Sequence, residues 1–526
     1  MIKNFKWLLF ASLAFVACNN EDEVVVVETN SSDGKPLTAG TVNVSKYVAL
    51  GDSYAAGFSD NALFIEAQKG AYPNIIAQQF ALLGGGEFKT PLMNDNIGGL
   101  LLGGNVILGQ RLFFNGAGPA PVTGRPSTEV TVKLTGSFNN LGIPGAKSYN
   151  LTAADYGDVA KIGSFPASSP YFARFATSRT ASVVADAVAQ DPTFFSLWIG
   201  GNDVLGYATS GGSGVNRTGN LDSTTYLSND ITDPTVFASA YNNIVNAMTA
   251  KGAKGVVANL PYVTALPFFT TVPFNPLTAS VLGRGNVAVG TATIQSLNAQ
   301  LYGPLKQALT AFGAGSRIEL LSTTAVNPLL IVDESLPNLS AQLTAAFTPT
   351  LGAQTAAFYG QVFGRARQAT REDLIVLTAQ SAIAAAPTAV NSGLGIAPPA
   401  PLNAFGVTYP MQDVHVLTKA EVAEVKVATD AYNATIKSIA DSKGLAFVEL
   451  KGVTDQLANG GIVYNGFRTT SAFVTGGMFS LDGVHPSPRG YAIIANLFTD
   501  AINAKFGSNI KNKDVSLYRV LYPATL

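Results

Sequence analysis

Short, mostly apolar runs bounded by Gly, Pro, Asn or Asp recur along the chain. The clearest, residues 193–199, is apolar without alternation, which is typical of a strand buried on both faces of a parallel sheet. The pattern predicts five strands, at residues 44–50, 138–143, 193–199, 255–260 and 445–450.

Between these runs, apolar residues recur with the spacing of amphipathic helices. The pattern predicts helices at residues 72–83, 174–190, 233–250, 291–312, 418–442 and 487–506. The fifth of these helices opens with the capping box Thr418-Lys419-Ala420-Glu421. Alternation of strands and helices predicts an α/β fold, a doubly wound parallel five-stranded sheet flanked by helices.

Three segments break this alternation and are interpreted as insertions near 84–136, 262–290 and 319–412. The first is rich in glycine, which favours loops or hairpins. The other two are rich in Ala, Pro, Leu and Phe and are expected to form a lid or wall over a site at the loop end of the sheet. The predicted organisation is a domain over 43–510 and a C-terminal tail over 511–526.

Composition narrows the functional classes. Of the 526 residues, 47% are hydrophobic and 13% are charged, so the chain can bury a large core. The net charge is −1 without a Lys/Arg cluster, and we expect no nucleic-acid partner. One cysteine excludes an internal disulfide, and two histidines without a cysteine cluster give no usual metal ligand set. We therefore expect no metal and no cofactor.

The first residues have the pattern of a targeting segment. Lys3 and Lys6 precede the apolar residues 7–16, which are too few to span a membrane. The segment ends at Cys18, the single cysteine, and resembles a bacterial lipoprotein signal. Phe15 stands where that signal usually has Leu. An ordinary secretory signal and a buried free cysteine are the alternatives.

The lipoprotein resemblance implies that residues 1–17 are a signal peptide and that Cys18 is lipidated. Residues 18–42 are polar apart from the valines 24–27, which could pair as a strand, and are expected to form a tether between anchor and domain. The acidic residues 21–23 resemble the surface-export signal of Bacteroidota lipoproteins. The chain is therefore expected to be exported and attached by lipid to the outer membrane.

Two motifs carry candidate chemistry. Gly51-Asp52-Ser53 ends the first predicted strand, and loops at the carboxyl ends of parallel strands hold reactive groups. Serine needs a base, and Asp482 and His485 are spaced so that a carboxylate can orient an imidazole. The alternatives are that Ser53 merely caps a helix and that His415 is the base.

Four features occur in order: Gly-Asp-Ser after the first strand, a glycine after the second, Gly-x-Asn-Asp after the third, and Asp-x-x-His before the last helix. This combination resembles the SGNH, or GDSL, hydrolase family over roughly residues 44–506. The family fold is flavodoxin-like, with strand order 2-1-3-4-5. Tyr54 stands where the motif name has Leu.

The resemblance implies the role of each matching residue. Ser53 would be the nucleophile, His485 the base and Asp482 the residue that orients it. The oxyanion hole would consist of the N–H groups of Ser53 and Gly145 and the side-chain amide of Asn202, with Gly142 as a less favoured substitute for Gly145.

The expected function is hydrolysis of carboxylic esters through an acyl-enzyme. Apolar residues at 267–277 favour an acyl pocket and hence lipid esters, although they could simply be core of the insertion. Two alternatives stay open. One is an acetyl esterase or acyltransferase acting on glycans, and the other is a non-catalytic surface binding lipoprotein.

Overall fold

The computed structural model describes residues 30–164 and 168–526. The predicted signal peptide, Cys18 and residues 18–29 of the predicted tether lie outside these ranges. Within them, the chain folds around a five-stranded parallel sheet. Its strands are β1 (Tyr47–Gly51), β2 (Asn140–Gly142), β3 (Phe194–Trp198), β4 (Lys254–Ala258) and β5 (Ala446–Val448).

In space the sheet runs β2-β1-β3-β4-β5. The predicted α/β class with a parallel five-stranded sheet flanked by helices is confirmed. The described ranges also hold ten short strands outside this sheet, paired as two-stranded ribbons. Counted among all fifteen strands, the sheet order is 13-8-7-1-6. This order differs from the predicted 2-1-3-4-5, because the prediction numbered only the strands of the sheet and left out the ribbon strands.

The register brings three strand ends together. Gly51 at the end of β1 lies opposite Gly142 of β2 on one side and Trp198 of β3 on the other. Since the strands are parallel, the loops that follow them leave the same edge of the sheet next to one another. These are the loops that carry Ser53, Gly145 and Asn202.

Helices flank the sheet. They are α1 (Ser53–Ala56), α2 (Tyr72–Ala81), α3 (Val183–Val188), α4 (Asn202–Thr209), α5 (Pro234–Thr249), α6 (Lys419–Lys443) and α7 (Pro488–Phe506). Helices α2 and α7 pack together on the sheet face that carries Phe194 and Trp198. Helix α5 contacts α3 and α6 in a second group.

One predicted helix is shorter than expected. The prediction covered 174–190, but α3 begins only at Val183. Ser182 caps it by accepting from the N–H of Ala185, and Asp186 turns back to accept from the N–H of Thr177. Asp186 thus satisfies the backbone of a preceding residue in a turn, and the Ser182 cap starts the helix only at Val183.

The predicted helix over 291–312 is interrupted. It begins at Val287, runs to Leu297, passes through a π-helical turn at Asn298–Tyr302 and continues as Gly303–Ala311. Pro304 has no N–H and its ring crowds the preceding turn, so a widened turn accommodates it without ending the helix.

The remaining elements lie largely in the predicted insertions. The ribbons pair Leu100–Leu102 with Asn105–Leu108, Leu112–Phe114 with Pro119–Pro121, Leu330–Val332 with Ala366–Gln368, Leu374–Ile375 with Val416–Leu417, and Ile462–Tyr464 with Phe467–Thr469. The further α-helices are Ile65–Lys69, Pro267–Thr270, Ala279–Leu282, Ser340–Leu351, Ala353–Phe363 and Lys451–Ala458.

Both ends of the described chain pack on the domain. In the predicted tether, the N–H of Thr38 donates to the Asn509 side chain at 2.7 Å. In the predicted tail, Tyr522 packs with Phe64 in a small apolar cluster. Among the described residues, no helix is both long enough and apolar enough to cross a bilayer.

Candidate active site

The structure brings Ser53, His485 and Asp482 into one hydrogen-bonded chain. The Nε2 atom of His485 lies 2.8 Å from Ser53 Oγ, and its Nδ1 lies 2.9 Å from Asp482 Oδ2. Ser53 is the first residue of α1, directly after β1, and Asp52 caps that helix by accepting from the N–H of Tyr54. The imidazole can therefore take a proton from the hydroxyl while the carboxylate fixes its tautomer.

Asp482 is held by four hydrogen bonds. Its Oδ1 accepts from the N–H groups of Val484 and His485, each at 2.8 Å, and its Oδ2 accepts from the N–H of Asn61 at 2.9 Å as well as from the imidazole. Burial alone would raise the pKa of Asp482, but the His485 ring and these N–H donors outweigh it and hold the pKa at about 2. The carboxylate therefore stays ionised at neutral pH.

Aromatic rings fix the position of His485. Phe58 lies 4.6 Å and Tyr54 5.4 Å from it, centroid to centroid. The hydroxyl of Tyr54 also donates to the carbonyl of Val484 at 2.9 Å, which ties the Asp-x-x-His turn to α1. The sequence analysis gave Tyr54 no role and missed Phe58, because neither ring position follows from spacing alone.

Asn61 was also missed. It and its neighbour Asp60 have φ of +65° and +50°, a conformation that Asn and Asp tolerate better than most residues. The polar run Ser59-Asp60-Asn61 is a turn signal, so the turn was predictable, but its contact with Asp482 was not.

A second carboxyl lies behind the first. Asp60 is buried and its Oδ1 accepts from the N–H of Leu481 at 2.9 Å. Burial, together with the charge of Asp482, raises the pKa of Asp60 to about 7, against the N–H of Leu481 and the charge of Arg111, which lower it. Asp60 thus holds the residue preceding the triad acid.

Gly145 and Gly142 have different environments. Gly145 has a φ of +80°, which favours glycine, and its N–H makes no hydrogen bond to any described residue. The N–H of Gly142 donates to the Asn140 side chain at 2.9 Å, and a side chain there would collide with the backbone of Ala56. Gly145 is therefore the better placed donor, and Gly142 is a packing glycine.

Asn202 lies against the loop that carries Gly145. Its side-chain amide donates to the carbonyl of Ala146 at 3.0 Å. The next residue, Asp203, is fully buried and accepts from both the N–H and the hydroxyl of Ser148 at 2.8 Å. Burial raises the pKa of Asp203. These contacts join the loop after β2 to the start of α4.

An apolar cleft is lined by Asp52 and Tyr54, the sequence neighbours of Ser53. It encloses about 20 Å³, room for roughly one water molecule. Most of its lining is aromatic or aliphatic: Tyr54, Trp198, Val204, Leu205, Leu260, Pro261, Val263 and Leu266. Asp52 also lines it. Burial raises the pKa of Asp52 to about 7, against the N–H of Tyr54 and the charge of His485, which lower it.

The residues expected to form an acyl pocket lie elsewhere. Phe268 and Phe269 are buried, and the N–H of Phe268 donates to the carbonyl of Gly483 at 2.9 Å. The helix Pro267–Thr270 therefore supports the turn between Asp482 and His485. The cleft is lined instead by residues that precede this helix, of which Leu266 is the last.

His415 is not part of the triad. It is buried beside Phe405, and its Nδ1 accepts from the N–H of Gln412 at 3.1 Å. Burial lowers the pKa of His415. In the part of the chain that the structure describes, no three His, Cys, Asp or Glu side chains are grouped to hold a metal ion.

Neither a protein-family model, nor a curated protein, nor a solved structure matches this chain. The inference of function therefore depends on the site itself.

Proposed function

We propose that this chain is a serine ester hydrolase of the SGNH type, with a flavodoxin-like core. The observation that carries the proposal is the hydrogen-bonded chain from Ser53 through His485 to Asp482. The order of the five sheet strands and the three adjoining strand-end loops also support it.

In the proposed reaction, His485 Nε2 accepts the hydroxyl proton as Ser53 Oγ attacks the ester carbonyl. The negative charge that forms on the carbonyl oxygen is stabilised by the N–H groups of Ser53 and Gly145 and by the Asn202 amide. The Asn202 amide has two hydrogens, so one can stay on Ala146 while the other faces the oxyanion. Each such donor is worth about 2.7–4 kcal/mol.

The tetrahedral intermediate then collapses. His485 gives its proton to the leaving alcohol, and an acyl group stays on Ser53. A water molecule, deprotonated by the same imidazole, attacks the acyl carbonyl. The bond to Ser53 Oγ then breaks, His485 returns the proton to Ser53, and the acid is released. Asp482 stays ionised throughout and stabilises the imidazolium, which the low pKa of its carboxyl favours.

For the substrate, we propose acyl esters of lipids, because the cleft that Asp52 and Tyr54 share is lined mainly by apolar side chains. A second candidate is an acetyl ester on a glycan. It is favoured by the small volume of about 20 Å³, which suits a short acyl group. Export and lipid attachment through Cys18 to the outer membrane complete the proposal.

Covalent labelling and an ester series test it. We expect a fluorophosphonate to label the chain, Ser53→Ala to abolish the label, and Ser239→Ala, which changes an exposed serine on α5, to keep it. Hydrolysis of p-nitrophenyl esters from acetyl to palmitoyl should be lost in Ser53→Ala. Activity confined to acetate would select the glycan esterase. Equal background rates for wild type and Ser53→Ala would refute the hydrolase mechanism.

A further inference from the structure

A buried polar cluster lies next to the two oxyanion donors and has no part in the proposed reaction. Ser148 and Asp203 are fully buried, and Lys147 is 3% exposed. We call these three residues the buried clamp. Lys147 and Ser148 follow Gly145 by two and three positions, and Asp203 follows Asn202 directly. Burying a carboxylate and an ammonium costs free energy unless both are paired, so their partners indicate what the cluster holds in place.

The turn that presents the N–H of Gly145 is closed by one hydrogen bond. The N–H of Ala146 donates to the carbonyl of Ile143 at 3.0 Å. Between them, Pro144 has no N–H and Gly145 has a φ of +80°. Proline followed by a left-handed glycine is typical of a type II turn. This local bond sets the shape of the turn, but it does not set the distance between the turn and helix α4.

The carboxylate of Asp203 sets that distance. Its Oδ2 accepts from the N–H of Ser148 and its Oδ1 accepts from the Ser148 hydroxyl, each at 2.8 Å. The backbone of Asp203 is also held, because its carbonyl accepts from the N–H of Thr232 at 3.0 Å. One short side chain therefore joins the residue three positions after Gly145 to the helix that begins at Asn202.

The ammonium of Lys147 supplies a second attachment. Its Nζ donates to the carbonyl of Asp230 at 2.5 Å and to the carbonyl of Leu227 at 3.3 Å. The Asp230 carboxylate is itself fixed, since it accepts from the N–H of Leu227 at 2.8 Å and from the Arg217 guanidinium at 2.6 Å. Burial raises the pKa of Asp203, and the charge of Lys147 opposes this rise. The two opposite charges of the clamp therefore stabilise each other.

We infer that the buried clamp positions the oxyanion donors, with Asp203 as the residue that sets the distance between the N–H of Gly145 and the amide of Asn202. The inference rests on the proposed hydrolase function and names residues that act on its reaction without touching the substrate. Oxyanion donors stabilise the transition state only if they are in place before the charge forms. A misplacement of about 1 Å can lower the rate about 100-fold.

The test measures hydrolysis of p-nitrophenyl acetate by three variants of the clamp. Asp203→Ala removes both bonds to Ser148, and we expect kcat to fall at least about tenfold while KM stays within about twofold. Asp203→Asn keeps both bonds, because its amide oxygen accepts from the N–H and its NH₂ group donates to the hydroxyl oxygen. It should therefore stay within about threefold of wild type in kcat. Ser148→Ala removes only the hydroxyl bond and should lie between them, which keeps the test informative if Asp203→Ala does not fold.

Asp333→Ala is the matched control. Asp333 is 5% exposed and lies in the predicted insertion over 319–412. It accepts from the N–H and the hydroxyl of one serine, Ser335, and it pairs with Arg367 at 2.6 Å, so its contacts resemble those of Asp203. Asp333→Ala should lower the unfolding temperature as Asp203→Ala does, but it should leave kcat unchanged. A loss of kcat specific to Asp203→Ala is then an effect on the oxyanion site rather than on stability.

Hydrogen exchange separates this inference from the proposed function. In a Ser53→Ala background, Asp203→Ala deprives the N–H of Ser148 of its acceptor and should speed amide exchange over residues 143–152. Asp333→Ala should leave exchange in that segment unchanged. A wild type that hydrolyses no ester refutes the enzyme. In that case, faster exchange retains the clamp and unchanged exchange refutes it as well.

Two kinetic results would overturn the inference. Asp203→Ala could lower kcat no more than Asp333→Ala does. Asp203→Asn could be as impaired as Asp203→Ala, which would mean that the hydrogen bonds to Ser148 do not set the position of the donors.

Discussion

Asp482→Asn tests the triad most directly, because the structure leaves the amide no satisfactory orientation. If the amide oxygen replaces Oδ1, the NH₂ group faces the N–H of Asn61 and Nδ1 of His485. The imidazole must then keep its proton on Nε2 and can no longer accept one from Ser53. If the amide is reversed, the N–H groups of Val484 and His485 lose their acceptor.

The first orientation is favoured, because it sets the amide NH₂ against one backbone N–H instead of two. Its tautomer should lower kcat for p-nitrophenyl acetate by on the order of 10⁴-fold, or about 5 kcal/mol of transition-state stabilisation. Asp455→Asn, at an exposed carboxylate on the helix Lys451–Ala458, is the matched control and should be neutral. If Asp482→Asn retained kcat within tenfold of wild type, the assignment of Asp482 as the residue that orients His485 would be wrong.

The same substitution has a consequence for stability that does not depend on any substrate. The pKa of Asp482 falls from 3.8 to about 2 on folding. A depressed carboxyl pKa stabilises the fold above the unfolded-state value and ceases to do so as the pH falls through the folded value. The difference is worth about 2 kcal/mol at pH 7 and about half that at pH 3. In urea unfolding, the loss of unfolding free energy caused by Asp482→Asn should therefore be about 1 kcal/mol smaller at pH 3 than at pH 7.

Three further substitutions have defined outcomes. Burial raises the pKa of Asp52 from 3.8 to about 7, so its carboxyl opposes folding increasingly as the pH rises between those values. In thermal unfolding, Asp52→Asn should therefore stabilise the chain by up to about 4 kcal/mol at pH 8 but little at pH 4. Gly145→Ala places a side chain at φ +80°, at a cost of about 1–2 kcal/mol, and should lower kcat more than it changes KM. Arg111→Met removes the donors to residues 523–524 and should speed proteolysis of the C-terminal segment, whereas an unchanged cleavage rate would contradict that anchoring role.

The sheet was predictable because each of its strands has a recognisable local sequence pattern. Each core strand is a short apolar run that ends in Gly, Pro or polar residues, and the alternation with helices restricts the topology. The neighbouring positions of Ser53 and Asn202 follow from this, since both stand just after adjacent parallel strands. The approach of Asp482 and His485 to Ser53 did not follow from the strands. It was predicted from the motif combination alone.

The missed contacts share a physical property: they are made by backbone groups or by ring positions. Asn61 supports Asp482 through its N–H, a group that nearly every residue type has. Phe58 is distinguished from the chain's other phenylalanines only by its neighbour, His485. Such roles depend on tertiary structure, whereas a nucleophile or an acid can be recognised by its side-chain chemistry.

The shape of helix α3 illustrates the same limit. Sequence periodicity extended it back to residue 174, but local polar contacts of Thr177 and Ser182 hold the chain in turns. Helical spacing describes which face would be buried if a helix formed. It does not weigh that burial against side-chain hydrogen bonds that stabilise an alternative.

The predicted insertions contact the turn that carries Asp482, although the sequence analysis treated the insertions and the site as separate. The turn that carries the triad acid is bonded to Asn61 on one side and, through Gly483, to Phe268 of the second insertion on the other. The Asp60 loop beside Asn61 accepts a hydrogen bond from the N–H of Leu112 in the first insertion. The catalytic geometry therefore depends on segments outside the sheet. Because the second insertion also supplies Val263 and Leu266 to the cleft, changes in it should alter the rate as well as the affinity.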